Sequence, residues 1–436
     1  MSSTNGEAVN VLVIFGNPRA EHAIETLSDY TLKKYRFIYQ GTKEQRNYGK
    51  ITFTNLQEYL EDAKEIITRS NVKLVLGIGE LGALVRAALT QEYLYLRGPS
   101  VESVFVCANK YYMRCFLDPD PIPFACLDLS KPNLDRACEH VLQKVGIPAF
   151  FKPCSSTRSQ GVASVTSNQK LACIYQSYIS SSLFKSPAVD TKFLNPFIAK
   201  HIDERKYPLS THPIAVIEKH MGEAARINAD GYVFNGGVFH WSLSDNLYWK
   251  KKPRCCFGTA HPTALSESAQ VEVWKLFDVV VTRMVDFGFN NSFVNVEVFV
   301  LDSGEVKLME VNPRRGGSSV LCSREVFKDG DITLAELKLM EGMQPGPPVP
   351  NGQHAFQGYF TTCGSGKAKD LFDFSFTYPG ILTRLAPNEF VDGSGESGAR
   401  LGYVCLSGGS REEILEKYMF ICHNVLVKPK LSFWEY

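Results

Sequence analysis

The stretch FVNVEVFVLDSGEVKLMEVNPRRGGSS, residues 293–319, alternates apolar and polar side chains on both sides of an Asp-Ser-Gly turn. Such alternation predicts two antiparallel strands joined as a hairpin. Glu310 and Asn312 are two residues apart and therefore share one face of their strand, and pairing across the hairpin can bring Glu297 opposite them. Carboxylate and amide oxygens are hard ligands, suited to magnesium beside nucleotide phosphates.

Arg314 follows Asn312 by two residues, so its side chain can face the same pocket. A planar guanidinium there could hold a carboxylate or a transferring phosphoryl group. Gly316 and Gly317 would let the backbone approach a ligand closely. Taken alone, the segment could also be an ordinary hairpin with solvated acids and an arginine-rich exit turn.

The order of this and other motifs resembles the ATP-grasp superfamily, whose last core strands carry a Glu and then Glu-x-Asn, followed by arginine and glycines. The resemblance covers most of the chain. It implies that Glu297, Glu310 and Asn312 bind Mg²⁺, with Mn²⁺ as an alternative, beside ATP. It also implies that Arg314 stabilises the phosphoryl-transfer and tetrahedral states.

Two lysines upstream resemble the phosphate-binding lysines of that superfamily. Lys110 lies in LRGPSVESVFVCANKYYMRCFL, residues 96–117, where it opens a predicted helix. An ammonium at a helix start adds to the positive end of the helix dipole. Lys152 ends a strand-like run, AFFKP, and is expected to act in both phosphate binding and catalysis. Seen alone, an Asn-Lys pair before two aromatic residues is weak evidence and is more often a solvated helix start.

A serine-rich loop follows Lys152 and resembles the flexible loop that closes over the phosphates in the superfamily. Ser155, Ser156 and Gly161 are the expected contacts, because hydroxyls and backbone amides can donate to phosphate oxygens. Arg158 would add a charge that glycine-rich loops lack. The alternative is an ordinary polar surface loop.

The segment AVIEKHMGEAARINADGYVFNGGVFHWSLSDN, residues 215–246, resembles the superfamily's adenine-binding hinge. The resemblance places Glu218, Lys219 and Met221 at the adenine edge and Glu223 at the ribose hydroxyls, although the spacing to Glu223 is a residue shorter than in many relatives. Met221 could instead belong to the core, and Glu218 could be a satisfied acid at a strand end.

The fold class expected is α/β and α+β multidomain. Apolar runs at 9–15 and 72–80, each ending near glycine and followed by a helical pattern, predict a small Rossmann-like sheet. GMQPGPPVPNGQ at 342–353 predicts a linker. The expected division is a Rossmann-like domain, two ATP-grasp subdomains of which the second holds the metal site, and a small C-terminal α+β domain, at 1–108, 109–213, 214–342 and 354–436.

Composition excludes several classes of function. A formal net charge of +1 gives no bulk attraction to nucleic acid or anionic lipid, and the longest apolar runs are too short to span a bilayer. The twelve cysteines are scattered without metal spacing and are expected to be reduced thiols. With no secretory signal visible at the start, a cytoplasmic location is expected.

Within the superfamily, the chain most resembles carboxylate–amine ligases that join amino acids, including carnosine-synthase-like enzymes. The partners expected are a small carboxylic acid and an amine, and a homodimer remains open. Alternatives are a carboxylase-like enzyme that activates bicarbonate or another small acid, and a non-catalytic ATP-binding module. VLGIGELG at 75–82 is weak evidence for a dinucleotide dehydrogenase.

Two histidines are weaker candidates for the acceptor substrate. His240 lies in a strand-like run and His261 in a predicted loop, and a lone histidine is more often structural. The basic run at 250–252 is expected to be a solvated turn.

Overall fold

The N-terminal region is a small parallel sheet with helices on both faces. The computed structural model describes residues 7–48, 52–130, 134–156, 161–180, 191–250, 252–383, 385–393 and 397–427. The strands pair in the order β2-β1-β3. The elements of this region are β1 (Val9–Ile14), α1 (Pro18–Glu25), α2 (Asp29–Lys34), β2 (Tyr35–Tyr39), α3 (Lys43–Tyr48), α4 (Leu56–Arg69), β3 (Leu74–Gly77), α5 (Gly79–Glu92) and α6 (Val101–Ala108).

Glycines of the stretch VLGIGELG, residues 75–82, bring β3 and α5 close together. A Cβ atom on Gly77 would lie 2.4 Å from the carbonyl oxygen of Gly82. Close strand–helix packing therefore explains these glycines without a bound dinucleotide.

The second region is a four-stranded antiparallel sheet in the order β4-β7-β5-β6. Its elements are α7 (Lys110–Phe116), β4 (Phe124–Asp128), α8 (Leu134–Val145), β5 (Ala149–Pro153), β6 (Ala163–Val165), α9 (Asn168–Ser180), α10 (Thr191–His201) and β7 (Ile214–Lys219). Helices α8 and α9 cover one face of the sheet. The other face is turned toward the third region, so lysines from β5 and α7 lie between the two.

The third region is an eight-stranded antiparallel sheet in the order β12-β11-β8-β9-β10-β15-β19-β17. Its first elements are β8 (Ala225–Phe234), β9 (Gly237–Trp249), β10 (Lys252–His261), α11 (Glu267–Asp286), β11 (Ser292–Val300), β12 (Val306–Asn312), α12 (Ser319–Val326), β13 (Phe327–Lys328) and α13 (Ile332–Glu341). The remaining elements are β14 (Val349–Pro350), β15 (His354–Thr362), β16 (Gly366–Lys367), α14 (Ala368–Leu371), β17 (Ile381–Thr383), β18 (Phe390–Val391), β19 (Ala399–Gly408) and α15 (Arg411–Val425).

The apolar character of DGYVFNGGVFHWSLS, residues 230–244, predicts one strand-like run, but these residues form a hairpin. Asn235 and Gly236 have φ angles of 47° and 79°, and the chain reverses there between β8 and β9. Two successive left-handed residues make the tight turn whose twist matches paired strands. The Asn-Gly pair was the signal for this turn.

The α/β and α+β multidomain fold is confirmed. The observed sheets bear on the predicted division of the chain into domains. Strand β15 pairs with β10, so the segment 354–436 extends the third sheet, while its strands and α15 enclose a core of their own. Helix α13 packs Leu337 and Met340 against Val11 and Val13 of the N-terminal sheet. The boundaries at 108, 213, 342 and 354 stay predictions. Among the described residues, no helix combines the length and apolar character needed to cross a membrane.

Candidate active site

The β11–β12 hairpin brings the predicted metal ligands together. Glu297 is the direct cross-strand partner of Glu310, and Asn295 is the partner of Asn312. The Asn312 amide donates to Glu297 Oε1 and to Asn295 Oδ1, both at 3.0 Å. Asn295 was not singled out from sequence, although it lies two residues before Glu297 and so shares its face.

The electrostatics of this hairpin suit a divalent cation. Desolvation and repulsion from Glu310 raise the pKa of Glu297. A bound cation would relieve that repulsion, and two carboxylates with an amide oxygen are ligands that magnesium accepts, usually keeping waters as well. The described chain contains no group of three or more His, Cys, Asp or Glu side chains that could hold a metal ion. Glu297, Glu310 and Asn312 supply two carboxylates and one amide oxygen, a set that fits a cation completing its coordination with phosphate oxygens or water.

Lys110 reaches this hairpin from the start of α7. The Asn109 side chain caps the helix by accepting from the backbone N–H groups of Tyr111 and Tyr112. Lys110 Nζ lies 2.9 Å from Glu310 Oε1 and donates to the Ser156 carbonyl at 2.5 Å. Burial lowers the pKa of Lys110, but attraction to Glu310 outweighs that effect and leaves it raised. The lysine is therefore held charged beside the metal ligands.

Lys152 and Arg114 share a buried carboxylate. Glu218 is 1% exposed, with Oε2 2.5 Å from Lys152 Nζ and Oε1 2.8 Å from Arg114 Nε. Burial raises the pKa of Glu218, but the two cations overcome this and lower it to about 2. Burial lowers the pKa of Lys152. Both oxygens of Glu218 bind cations, so its carboxylate holds Lys152 in place. The contact of Glu218 with adenine that the sequence suggested stays a prediction.

Arg114 was missed by sequence reasoning. Its guanidinium also contacts Asp118 at 2.6 Å and donates to the Leu308 carbonyl at 2.7 Å, which ties α7 to β12. The available signal was the spacing of four residues from Arg114 to Asp118 in a helix, which puts the two side chains side by side.

A cleft of about 870 Å³ lies between the second and third sheets, above these charges. Lys110, Lys152, Lys219 and Met221 line it. Glu223 is exposed and does not line the cleft, so its ribose contact stays a prediction. The apolar part of the wall, suited to a flat aromatic base, comprises Ile122, Phe150, Met221, Phe299 and Met309.

The serine-rich loop borders the cleft where its residues are described. Ser156 lines the cleft, and Ser155 lines the cavity next to it. Gly161 has a φ of 71°, a backbone conformation that favours glycine. Arg158, with Thr157, Ser159 and Gln160, lies outside the described residues.

The segment after β12 forms a loop held by carboxylates. Arg314 is paired with Glu80, its Nε at 2.9 Å, and its Nη2 lies 3.2 Å from Asn312 Oδ1. Asp230 accepts from the Gly316 N–H at 2.8 Å and from the Ser319 hydroxyl. A Cβ atom on Gly316 would lie 2.5 Å from Asp230 Oδ1, so this position needs glycine. Burial raises the pKa of Asp230 to about 6.

Arg315, the next residue in this loop, is anchored by a different carboxylate, that of Glu336. Its Nη1 lies 3.1 Å from Glu336 Oε2, and Arg86 Nη1 lies 3.0 Å from Glu336 Oε1. These three side chains are buried and come from the loop, α13 and α5. They fix the loop against the N-terminal region.

A second, charged cleft of about 550 Å³ lies beside this loop and is lined by Arg19, Glu80, Arg314 and Arg315. Arg19 follows β1 and lies over the Tyr403 ring at 5.8 Å. Across the residues that the structure describes, no carboxylate is within ion-pair distance of Arg19. The cleft therefore offers a cation for an anionic ligand, and sequence reasoning did not identify Arg19.

The two histidines lie away from these clefts. His240 is exposed, contacts Asp278 at 2.7 Å and stacks on Trp274 with ring centroids 4.1 Å apart. His261 is buried 3.4 Å from the Ser318 hydroxyl, and burial lowers its pKa to about 4. Neither lines a described cleft. Lys250 is exposed, and Lys251 lies outside the described residues.

Two facing sheets of this kind form the ATP-grasp fold, and the chain has that fold. No protein-family model matches it. By sequence it is 22% identical over 262 residues to a D-alanine–D-alanine ligase of Glaesserella parasuis, covering 59% of this chain and 73% of that protein.

Solved structures match nearly the whole chain. The L-amino acid ligase from Bacillus licheniformis aligns with a TM-score of 0.68 and 14% identity over 97% of this chain and 100% of its own. A carboxyaminoimidazole ribonucleotide synthase from Aspergillus clavatus, complexed with ATP, aligns with a TM-score of 0.67 and 13% identity over 96% and 98%. At such identities the similarity establishes the fold and leaves the reaction to be argued from the site.

Proposed function

We propose that this protein is an ATP-dependent carboxylate–amine ligase that works through an acyl phosphate. One observation carries the proposal: Lys110 and Lys152 border the same cleft as Glu310, whose strand partner is Glu297. Two cations and a pair of crowded carboxylates suit a magnesium-bound triphosphate. The ligases among the similar proteins support this class of reaction.

In the proposed reaction, an oxygen of the substrate carboxylate attacks the γ-phosphorus of ATP, the bond to the bridging oxygen breaks, and ADP leaves. The amine nitrogen then attacks the carbonyl carbon of the acyl phosphate, phosphate leaves, and the nitrogen loses a proton. The products are an amide, ADP and phosphate.

The side chains would contribute mainly electrostatic stabilisation and positioning. Lys110 and Lys152 would neutralise phosphate oxygens, and Arg314, adjoining Asn312, would stabilise negative charge on the transferring group. Magnesium, held by Glu297, Glu310 and Asn312, would supply charge neutralisation at the β- and γ-phosphates. The Ser155–Ser156 loop would exclude water from the acyl phosphate.

The charged cleft favours a ligase over the carboxylase-like alternative. Bicarbonate needs little space, whereas Arg19, Arg315 and Glu80 form a separate site beside Arg314. A cation and a carboxylate in one cleft suit the carboxylate and amine of an amino acid. We therefore propose that an amino acid is the acceptor. Cytoplasmic location and dimerisation stay predictions.

The test is an ATP-consumption screen with magnesium across pairs of carboxylic acids and amines, with product mass measured. We expect ADP together with a new amide, and we expect Glu310→Ala and Lys152→Ala to abolish both. ADP formation that survives in both variants would overturn the site assignment. Turnover that needs bicarbonate and no amine would favour the carboxylase-like reaction, and nucleotide binding without turnover would favour the non-catalytic module.

A further inference from the structure

A cavity of about 690 Å³ adjoins the proposed nucleotide cleft. Ser156 and Glu310 line both spaces, so the two are separated only by the groups proposed to hold phosphate and metal. Part of this space is open to solvent, and its lining residues come mainly from α5, α6, α10 and β12.

Most of the cavity wall is apolar and comes from the consecutive helices α5 and α6 and from the more distant helix α10. Helices α5, α6 and α10 supply Leu81, Leu84, Phe105, Ala108, Leu194 and Ile198. Among the described residues, the ionisable side chains that line the cavity are Glu80, Glu310 and His212, with no lysine or arginine. Because an acidic side chain would meet two carboxylates there, the wall favours an apolar group.

The polar part of the cavity lining indicates which substrate it receives. Ser155, Ser156, Glu310 and Asn312 belong to this lining, and none of these residues lines the charged cleft beside Arg19. The carboxylate that becomes phosphorylated has to reach the γ-phosphate. The cavity that opens on the phosphate and metal groups is therefore the place for the acid, and the charged cleft is left for the amine.

One polar group in the cavity lining, the Ser210 hydroxyl, is available to hydrogen-bond a ligand. Ser210 is 9% exposed and lines the cavity, and its hydroxyl has no hydrogen-bond partner among the described residues. A buried hydroxyl without a partner costs stability unless a ligand or water satisfies it. An amino or carbonyl group of the acid would do so.

We propose that this cavity binds the acid substrate through an apolar side chain of leucine to phenylalanine size. The inference rests on the proposed ligase function and specifies one of its substrates. It makes the enzyme selective for an apolar α-amino acid, or a similar acid, as the component that is phosphorylated.

The first experiment fills the cavity. Ala108→Leu, at the end of α6, should reduce kcat/KM for leucine or phenylalanine as the acid by roughly 10–200-fold while alanine is affected less. Ala199→Leu, on the exposed outer side of α10, is the matched control and should change nothing. If Ala108→Leu fails to fold, Ile198→Ala enlarges the same wall and should shift preference from leucine toward phenylalanine.

The second experiment measures binding without turnover, so that the two proposals can fail separately. Calorimetry with leucine, alanine and aspartate, in magnesium and a non-hydrolysable ATP analogue, should show leucine binding that Ala108→Leu removes and Ala199→Leu keeps. Leucine binding with no amide formed would contradict the proposed ligase function and support the proposed acid-binding cavity. Amide formation from polar acids alone would contradict the proposed acid-binding cavity and support the ligase function. An equal loss of kcat/KM for all acids in Ala108→Leu would have the same meaning.

Discussion

The proposed nucleotide cleft and the charged cleft differ in how their cationic side chains are paired with carboxylates. In the nucleotide cleft, Lys110 and Lys152 are each paired with a buried or half-buried carboxylate from a neighbouring strand. In the charged cleft, Arg314 and Arg315 are paired, but Arg19 has no carboxylate within the described chain. The first arrangement holds its geometry before any ligand arrives, whereas the second keeps one charge available for a ligand to neutralise.

The largest effect tests whether pairing in the nucleotide cleft is structural. Glu218→Gln would leave Lys152 without its carboxylate partner, whereas Arg114 keeps Asp118. An uncompensated buried charge typically costs about 3–5 kcal/mol. Urea unfolding should show a lower midpoint for this variant. Glu223→Gln is the matched control, because Glu223 is exposed. Equal midpoints for the two variants would contradict the role given to Glu218.

The same substitution has a pH signature. The pKa of Glu218 is lowered to about 2 in the folded chain, so its carboxylate stabilises the fold above the usual glutamate pKa and loses that effect as pH falls toward 2. The stability difference between wild type and Glu218→Gln should therefore shrink on acidification below about pH 4.5. A difference that stays constant there would argue against a charged Glu218.

An intermediate effect tests the unpaired cation. A hydrogen bond to a charged group contributes about 1.5–3 kcal/mol, so Arg19→Ala should weaken the affinity for an amino-acid acceptor by roughly 10–100-fold. Affinity for ATP should be unchanged, because Arg19 does not line the nucleotide cleft. The exposed Arg205, replaced by alanine, is the control. Weaker ATP binding in Arg19→Ala would erase the distinction between the two clefts.

The smallest effect concerns His240, which lies in neither cleft. Its contact with Asp278 is an exposed hydrogen bond, and such surface contacts contribute about 0–1 kcal/mol. His240→Ala should leave kcat and both KM values at wild-type levels and shift the unfolding midpoint only slightly. A selective rise in the acceptor KM would show that the charged cleft extends to His240.

The two clefts also differ in how far sequence could predict them. The β11–β12 hairpin, with Glu297 opposite Glu310, was predictable because its residues lie within one segment, where alternation at a period of two fixes which side chains share a face. Metal binding by these residues stays a prediction. Helix α8 likewise runs over the whole amphipathic stretch that predicts it, Leu134–Val145. Local periodicity was sufficient in both cases.

The substrate side could not be predicted because its contacts are long-range. Glu80 meets Arg314 across 234 residues, and Arg86 meets Glu336 across 250. No local pattern reports such pairs. Asp230 was not identified for the same reason, because its partners Gly316 and Ser319 lie 86 and 89 residues away. The extension of the third sheet through β15 was hidden by the Pro- and Gly-rich linker before it.

The most direct test of the central claim is the effect of magnesium on nucleotide affinity. Glu297→Gln removes one proposed ligand while leaving the Lys110–Glu310 pair intact. Calorimetry with a non-hydrolysable ATP analogue should show that magnesium tightens binding to the wild type by about tenfold or more, about 1.4 kcal/mol, and that Glu297→Gln loses most of this gain. Nucleotide binding that magnesium does not strengthen, or an equal gain in Glu297→Gln, would contradict a cation site on the β11–β12 hairpin.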